Sequence, residues 1–485
     1  MEEAPSPSEA PSTFTDGIVS QARLLPEQPA VILPDRLATY DMIAQGVLRV
    51  AERLRALSFP PGEVVCVALA SPIRHLILVA ALFRLGVPSV SGETAESVIA
   101  LRLPVRTYFQ DVGGALTPGL NRILVDESWF AGPRLAANAA RGFAREDDLC
   151  RIEVTSGSTG APKAVSTTVA GFQQRLAAQI RAESLGVRGR VLVLPRISGG
   201  LGFRVAARVL STGGTIVCAE SAREALQMTA AYRVDAIVAS VQQARDLIRE
   251  QRRAPIPCPS LGALLVTGAL PTRALLNEAR AWLCSRTIVH YGATETGPIA
   301  STPADLLMEE EGATGFSLPG ATIEVVDAED RLAPSETVGL VRVRTLAMGE
   351  PYPPRPKDEH PSLRGGSFYP GDRGRLTKEG MLILEGRASE IINTGGVKRA
   401  PELIEELVLR HPNVAEAAAF GAVGADGIEE VNLAVVTRAA IAEKALINWC
   451  AARGLEVARV FAVESLPRTQ MGKIRRDEVK RSLIG

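Results

Sequence analysis

Residues 154–163 (VTSGSTGAPK) combine glycines, hydroxyls and one lysine in a pattern suited to binding phosphate. Glycine lets the backbone turn tightly and aim its N–H groups at an anion, and serine and threonine hydroxyls add donors. Lys163 supplies a compact positive charge. The spacing differs from that of a Walker A loop, which is GxxxxGK followed by serine or threonine. A flexible turn between a strand and a helix is the alternative for such a segment taken alone.

Three further segments downstream carry complementary chemistry. Residues 291–297 (YGATETG) follow an apolar stretch and offer an aromatic ring, hydroxyls and a carboxylate. Residues 368–374 (FYPGDRG) place an aspartate in a glycine turn, and a Gly-Arg pair follows within a hairpin length at 386–387. Residues 467–476 (PRTQMGKIRR) bring a lysine and three arginines to the C-terminal end. Four such segments in order argue against the flexible-turn alternative.

Together the four segments resemble the motif set of the adenylate-forming superfamily, which includes acyl- and aryl-CoA synthetases, adenylation domains of nonribosomal peptide synthesis and beetle luciferases. The motifs follow the family order and extend from about residue 30 to residue 476, and the chain looks most like the AMP-dependent acyl-CoA synthetases. Such enzymes transfer AMP from ATP to a carboxylate and expel pyrophosphate. Negative charge spreads over phosphate oxygens in the transition state, so preorganised cations and N–H donors are needed.

The resemblance implies a nucleotide site built from these segments. Tyr291 would offer a ring face to adenine, with Gly292 beside it, and Thr294 would donate to the α-phosphate. Glu295 would be an oxygen ligand for Mg²⁺, which takes few carboxylates and otherwise binds the substrate's phosphates. A core aromatic and a solvated acid are the alternatives for Tyr291 and Glu295. The residues expected to hold the β- and γ-phosphates are Thr155, Ser156, Gly157, Ser158, Thr159, Gly160 and Lys163.

Two further roles follow from the resemblance. Asp372, otherwise a simple turn acid, would accept from both ribose hydroxyls, and Arg387 would assist with ribose or phosphate. Lys473 occupies the position of the family's catalytic lysine, although a lone lysine near a C-terminus is otherwise a surface charge. One ammonium can neutralise both the attacking carboxylate and the α-phosphate, which repel each other at contact distance.

The lysine would lie on a small mobile domain. In family members this domain rotates about a hinge, so that the lysine leaves the site and a thiol acceptor enters. We predict the hinge at Ser389, where relatives mostly carry Asp or Lys, and a pantetheine tunnel at Gly395 and Gly396. An ordinary turn before a helix that starts at Pro401 is the alternative for the glycine pair.

The acid pocket is less well defined. Residues 194–202 lack the acidic group that pairs an α-amine in peptide-type adenylation domains, so an amino-acid substrate is disfavoured. They also lack a histidine that acyl- and aryl-CoA synthetases often carry near position 198. Two alternatives are open for Arg196 and Arg204. They would either bind a second anionic group on the substrate or form salt bridges within the protein. The expected pocket residues are Arg196, Ser198, Gly199, Gly200, Gly268, Ala269 and Ala293.

The elements that position these residues alternate between helical and strand patterns. Helices are expected at 40–57 and 75–85, and buried strands at 63–69, 191–194, 215–219, 236–239, 263–266 and 288–289. This alternation indicates wound α/β sheets, with ligands beyond the carboxyl ends of the strands. The predicted organisation is a disordered segment 1–28, a large domain 29–385 that includes a small β subdomain, a hinge 386–389, and a small α+β domain 390–485.

Composition narrows the function classes. The chain has 54 lysines and arginines and 54 aspartates and glutamates. It therefore lacks the net positive charge that favours nucleic-acid binding. The six cysteines lack a CxxC pair and are expected to be free thiols. No apolar run is long enough to span a bilayer and no signal peptide is evident, so we predict a cytoplasmic protein without membrane association. A homodimer is included among the expected assembly states.

These inferences predict an AMP-forming acid–thiol ligase. It would use MgATP to make an acyl-adenylate and load the acyl group onto CoA or a carrier-protein phosphopantetheine. Two alternatives are a stand-alone adenylating enzyme with a non-CoA acceptor such as an amine, and a non-catalytic nucleotide-binding relative.

Overall fold

The computed structural model describes residues 13–91, 98, 101, 103–111, 119–136, 142–156, 162–183, 188–307, 310–352, 362–394, 397–424, 428–469 and 472–484. These residues form a mixed α/β fold, which confirms the predicted class. The α-helices among them are α1 (Phe14–Leu24), α2 (Tyr40–Arg55), α3 (Pro72–Leu85), α4 (Val169–Glu183), α5 (Gly200–Ser211), α6 (Ala222–Ala231), α7 (Val241–Arg253), α8 (Arg273–Trp282), α9 (Pro401–Leu409), α10 (Glu443–Ala451) and α11 (Arg476–Ile484).

The first sheet carries most of the predicted buried strands. Its inner strands are parallel, and its two edge strands run antiparallel to their neighbours. Within the described residues its order is β14 (Gly297–Pro303), β13 (Thr287–Ala293), β12 (Ala263–Thr267), β11 (Ala236–Ser240), β9 (Arg190–Val193), β10 (Thr215–Val217), β1 (Pro29–Ile32) and β2 (Leu37–Thr39). Strands that are covered by helices are apolar along their length, because neither face meets solvent. Strand β11 is an example, since all of its residues are buried.

The second sheet has antiparallel pairing at one end and parallel pairing over the rest. Its described strands run in the order β18 (Glu350–Tyr352), β8 (Pro162–Thr168), β7 (Leu149–Ser156), β4 (Ser89–Ser91), β3 (Val64–Ala68), β5 (Val105–Gln110) and β6 (Asn121–Leu124). Helix α3 connects β3 to β4 as a crossover. Ser71 caps its first turn, proline occupies its N-terminal position, and Gly86 ends it with a φ of 69°.

The third sheet is antiparallel and forms the predicted β subdomain. Its described strands are β15 (Ala313–Gly315), β22 (Leu382–Arg387), β21 (Asp372–Leu376), β17 (Gly339–Thr345), β20 (Ser367–Phe368) and β19 (Leu363–Arg364), with β16 (Ala321–Val326) paired to β17. Asp330 lies in the connection between β16 and β17, with a φ of 64°. Strand β22 extends through Arg387, so the chain leaves this sheet two residues later than the predicted domain limit.

The C-terminal part has its own α+β core. A hairpin of β23 (Ile392–Thr394) and β24 (Val397–Arg399) precedes α9. Strands β25 (Val414–Val423), β26 (Glu429–Thr437) and β27 (Arg459–Ala462) then form a sheet that packs against α9 and α11. These helices and strands agree with the α+β class predicted for this region.

The N-terminal prediction was wrong from residue 13 onward. Helix α1 is capped by Thr13 and buries Phe14, whose ring lies 5.1 Å from Phe83 and 5.7 Å from Phe203. The Pro/Ser-rich composition is confined to residues 1–12, which lie outside the described residues, while α1 carries apolar residues at helical spacing. All six cysteines are described and are free thiols. No helix in the described ranges has the length and apolarity needed to cross a bilayer.

Candidate active site

Tyr291 and Asp372 meet between the first and third sheets. Strand β13 continues through Ala293, so the first three residues of the YGATETG motif are strand rather than loop. The Tyr291 hydroxyl donates a 2.6 Å hydrogen bond to Asp372 Oδ2. Burial, followed by the neighbouring Asp372 charge, raises the pKa of Tyr291 well above its ordinary value. The phenol therefore stays protonated and acts as a donor.

Asp372 and Arg387 face each other across an antiparallel pair. They are register partners in β21 and β22, and Arg387 Nε lies 2.9 Å from Asp372 Oδ1. Arg387 also donates to the Pro370 carbonyl at 2.8 Å. Both oxygens of the buried Asp372 carboxylate are thus held by protein donors, and this arrangement fixes the orientation of the group expected to bind ribose.

Thr294 and Glu295 lie in the turn between β13 and β14. The Glu295 carbonyl accepts hydrogen bonds from Gly349 N at 2.5 Å and Arg175 Nη2 at 3.2 Å. Burial raises the pKa of the Glu295 carboxyl above its usual value, while Lys163 and Arg175 lie close enough to oppose that rise.

The Glu295 carboxylate fits a Mg²⁺ site in its donor chemistry, since a half-buried oxygen ligand gains from a nearby cation. The described part of the chain contains no group of three or more His, Cys, Asp or Glu placed to hold a metal. A Mg²⁺ ion bound by Glu295 would therefore take its other ligands from phosphate oxygens and water.

The expected phosphate-binding segment connects two strands. Strands β7 and β8 pair antiparallel, with Thr155 opposite Lys163, so the segment joins strand to strand rather than strand to helix. Gly157, Ser158, Thr159 and Gly160 lie outside the described residues, as do the side chains of Thr155 and Ser156. Lys163 lies close enough to Glu295 for its ammonium to interact electrostatically with the Glu295 carboxyl.

Lys473 lies in a short loop closed by its own hydrogen bonds. Gly472 N and the Lys473 carbonyl both bond to the Thr469 backbone at 2.8 Å, and Gly472 has a φ of 76°. A β-carbon at Gly472 would lie 2.8 Å from Gln242 Cβ and 3.6 Å from Ser240 Oγ. The loop therefore contacts the carboxyl end of β11, at the edge where the other candidate residues gather.

Lys473 keeps access to solvent, although protein atoms surround much of its ammonium. Its pKa is lowered from the ordinary lysine value because the surrounding protein desolvates it and the Arg387 charge lies nearby. Asp372, Glu390 and Glu402 oppose this shift. The C-terminal lysine and the expected ribose ligand Asp372 are thus part of one electrostatic site.

The expected acid-pocket residues lie at the ends of three parallel strands of the first sheet, β9, β12 and β13. Ser198 and Gly199 follow β9, and Gly199 is the N-cap of α5, which starts at Gly200. Gly268 and Ala269 follow β12, and Ala293 ends the adjacent strand β13. Arg196 is exposed. The strand order β13-β12-β11-β9 brings these segments to one edge of the sheet.

Ser389 lies exposed in a turn after β22, where Glu390 N and Ile391 N both donate to the Arg387 carbonyl at 3.0 Å. This position separates the third sheet from the C-terminal core, as a hinge requires. Gly395 and Gly396 lie outside the described residues, so the predicted thiol tunnel stays a prediction.

A buried charged cluster was missed in the sequence. Arg151, Glu153, Arg175 and Arg204 are each at most 6% exposed. Arg204 Nη1 lies 2.5 Å from Glu153 Oε1, so this arginine is occupied within the protein and is not available to a second anionic group on a substrate. Burial alone would raise the pKa of Glu153, but Arg204, Arg175 and Arg151 bring it below the usual value. Charged residues at alternate positions of the buried strand β7 were the available signal.

The chain matches two protein-family models. The AMP-binding enzyme model matches residues 115–352, and the AMP-binding enzyme C-terminal domain model matches residues 403–473, together more than half of the chain. Among curated relatives, the chain is 26% identical to 2-succinylbenzoate–CoA ligase of Bacillus subtilis (strain 168), over 96% of this chain and 97% of that relative. It is 27% identical to the fatty acid–acyl-carrier-protein ligase ScoC of Streptomyces coeruleorubidus, over 94% of this chain and 93% of that relative.

A solved structure supports the fold. O-succinylbenzoate coenzyme A synthetase (MenE) from Bacillus subtilis, in complex with ATP and magnesium ion, matches with a TM-score of 0.83 and 23% identity. The match covers 96% of this chain and 99% of that chain.

Proposed function

The chain belongs to the AMP-binding enzymes of the adenylate-forming superfamily, and from this premise we propose how its residues work as an acid–thiol ligase. The enzyme uses MgATP to convert a carboxylic acid into an acyl-adenylate and pyrophosphate. It then transfers the acyl group to the thiol of CoA or of a carrier-protein phosphopantetheine. The relatives named above include one ligase of each acceptor type.

One observation carries the assignment of residues. Lys473, which belongs to the C-terminal part, lies within the electrostatic reach of Asp372 and Arg387, which belong to the large domain. An ammonium at this position can lie between a carboxylate nucleophile and an α-phosphate when Asp372 holds the ribose. It would reduce the repulsion between the two anions and align them for attack.

In the first half-reaction, a carboxylate oxygen forms a bond to the α-phosphorus, and the bond from that phosphorus to the bridging β-phosphate oxygen breaks. Lys473 and the Thr294 hydroxyl stabilise the added charge at the α-phosphate. Lys163 neutralises the departing pyrophosphate. Mg²⁺ bound with ATP supplies further charge neutralisation at the phosphates, and Glu295 is the side chain that would hold it.

In the second half-reaction, the thiol sulfur attacks the acyl carbonyl carbon, AMP leaves, and the thiol proton passes to solvent. The same pocket must therefore release Lys473 and admit a thiol. The exposed turn at Ser389 is suited to this movement, because it lies between the third sheet and the C-terminal core. Residues 199–200, 268–269 and 293 would line the acid pocket in both half-reactions.

Carboxylate-dependent exchange of labelled pyrophosphate into ATP tests the proposal. We expect exchange with at least one acid from a panel of aryl, short-chain, long-chain and dicarboxylic acids. Adding CoA or a holo-carrier protein should then give a thioester. Exchange followed by transfer only to amines would contradict the proposal that the acceptor is a thiol. The absence of exchange with every acid would contradict the proposed adenylating activity.

The oligomeric state and the cellular compartment of the protein are two separate proposals. We propose a homodimer in the cytoplasm. Light scattering of the purified protein tests the first, and a monomeric mass would reject it. Fractionation of the source cells tests the second, and recovery of the protein outside the cytoplasmic fraction would reject it.

A further inference from the structure

Arg175 connects the three sheets of the large domain through one guanidinium. From α4, its Nη1 lies 3.3 Å from Glu153 Oε2 in β7 of the second sheet. Its Nε donates to the Ala347 carbonyl at 3.1 Å, in the segment that follows β17 of the third sheet. Its Nη2 donates to the Glu295 carbonyl at 3.2 Å, in the turn between β13 and β14 of the first sheet.

Two glycines make room for this side chain. A β-carbon at Gly297, the last residue of the YGATETG motif, would lie 2.9 Å from Arg175 Cγ. A β-carbon at Gly349 would lie 2.7 Å from Arg175 Nη2. Gly349 also donates its own N–H to the Glu295 carbonyl at 2.5 Å. The backbone around the Glu295 turn is therefore packed against the guanidinium.

Arg204 provides an internal comparison. It shares the Glu153 carboxylate with Arg175, through contacts of 2.5 and 2.6 Å, and it is also buried. Arg204, however, lies on α5, and the first residue of that helix, Gly200, packs against the same carboxylate. A β-carbon at Gly200 would lie 2.7 Å from Glu153 Oε1. No hydrogen bond described for Arg204 reaches the Glu295 turn. The two arginines thus have the same counter-ion and different further contacts.

We propose that Arg175 is a positioning residue for the Mg²⁺–phosphate end of the site. It holds the Glu295 backbone so that the adjacent carboxylate faces the cation and phosphates, and Glu153 holds Arg175. This inference rests on the proposed function, because it assumes that Glu295 binds Mg²⁺ together with ATP. Residues that orient a metal ligand from behind typically change metal affinity by roughly 10- to 100-fold when removed.

The alternative is that the cluster only stabilises the fold. Breaking a buried ion pair destabilises a protein whichever partner is lost, because an uncompensated charge remains. Arg175→Met and Arg204→Met both remove one guanidinium from Glu153, and both leave the other in place. A purely structural role therefore predicts a loss of thermal stability in both variants and no difference between them in the use of Mg²⁺.

The test measures binding of a non-hydrolysable ATP analogue by calorimetry over a series of Mg²⁺ concentrations, with melting temperatures measured in parallel. For Arg175→Met we expect the Mg²⁺ concentration at half-maximal binding to rise by roughly 10-fold or more. For Arg204→Met we expect a change of less than about 2-fold. Arg175→Lys keeps a charge near Glu153 but loses the fork of donors, so an intermediate shift is expected.

Arg175→Lys replaces Arg175→Met as the test variant if Arg175→Met does not fold. Equal Mg²⁺ midpoints for the wild type, Arg175→Lys and Arg204→Met would overturn the positioning role while the wild type still binds the nucleotide. If the wild-type protein itself binds no nucleotide at any Mg²⁺ concentration, the proposed function fails, and this inference fails with it.

Discussion

The Tyr291 hydroxyl donates to Asp372 Oδ2 at 2.6 Å, so the carboxylate expected to hold ribose already has a protein donor. A ribose that binds Asp372 must share or replace this bond. Asp372→Asn removes the charge, and we expect the KM for ATP to rise roughly 10-fold or more, as for a lost hydrogen bond to a charged group. Tyr291→Phe keeps the ring and should change KM by less than about 3-fold. Equal effects of the two changes would contradict a ribose role for Asp372.

The pH dependence of adenylation should reflect Lys473. Its pKa is lowered because burial and the Arg387 charge disfavour the ammonium. Since the ammonium is the form that bridges two anions, activity should be present below this pKa and disappear as pH rises through it, at a pH below the ordinary lysine pKa of 10.5. Pyrophosphate exchange measured from neutral to alkaline pH checks this. Lys473→Arg should move the alkaline limb upward, and an unmoved limb would assign it to another group.

Ser389→Pro tests the hinge. Proline fixes φ near −65°, so it should restrict rotation of the turn while the pose with Lys473 near Asp372 remains accessible. We expect thioester formation from a presented acyl-adenylate to fall at least several-fold and pyrophosphate exchange to change little. Ser389→Ala is the matched control and should behave like wild type. Equal losses in both half-reactions would indicate a local disturbance in place of restricted rotation.

Helix α1 should contribute to stability despite its position near the N-terminus. Phe14 is 2% exposed and packs against three phenylalanines, so Phe14→Ala should lower the free energy of unfolding by about 3–5 kcal/mol. Leu24→Ala in the same helix removes a side chain from a residue that is 67% exposed and should cost less than about 0.5 kcal/mol. Denaturant unfolding of both variants measures this difference, and equal values would contradict the packing of α1.

Most of the first sheet and the order of the motifs were predictable from sequence. Strands buried on both faces are short apolar runs, and β11 and β12 lie where such runs occur. Helix α1 was missed because a composition typical of disorder at residues 1–12 was extended over a segment with helical periodicity. The error came from applying composition where the spacing of apolar residues was the better guide.

The buried cluster could only be found partly from sequence. Arg151 and Glu153 occupy alternate positions of a buried strand, which indicates that one face of β7 carries charge, but this pattern was overlooked. The partners Arg175 and Arg204 are distant in sequence, and no local spacing connects them to Glu153. Their pairing follows from how α4 and α5 pack against each other and bring both guanidiniums to Glu153 of β7, which is a tertiary property.

The central claim is that the Lys473 ammonium acts in adenylation and not in thioester formation, and separate assays of the two half-reactions test it directly. The account predicts that Lys473→Ala lowers carboxylate-dependent pyrophosphate exchange by roughly 100-fold or more, the scale of losing a preorganised group that stabilises transition-state charge. It also predicts near-normal thioester formation from a presented acyl-adenylate, and wild-type behaviour in both assays for Lys444→Ala, an exposed lysine of the same domain. Equal losses of both half-reactions in Lys473→Ala, or full exchange without this lysine, would contradict it.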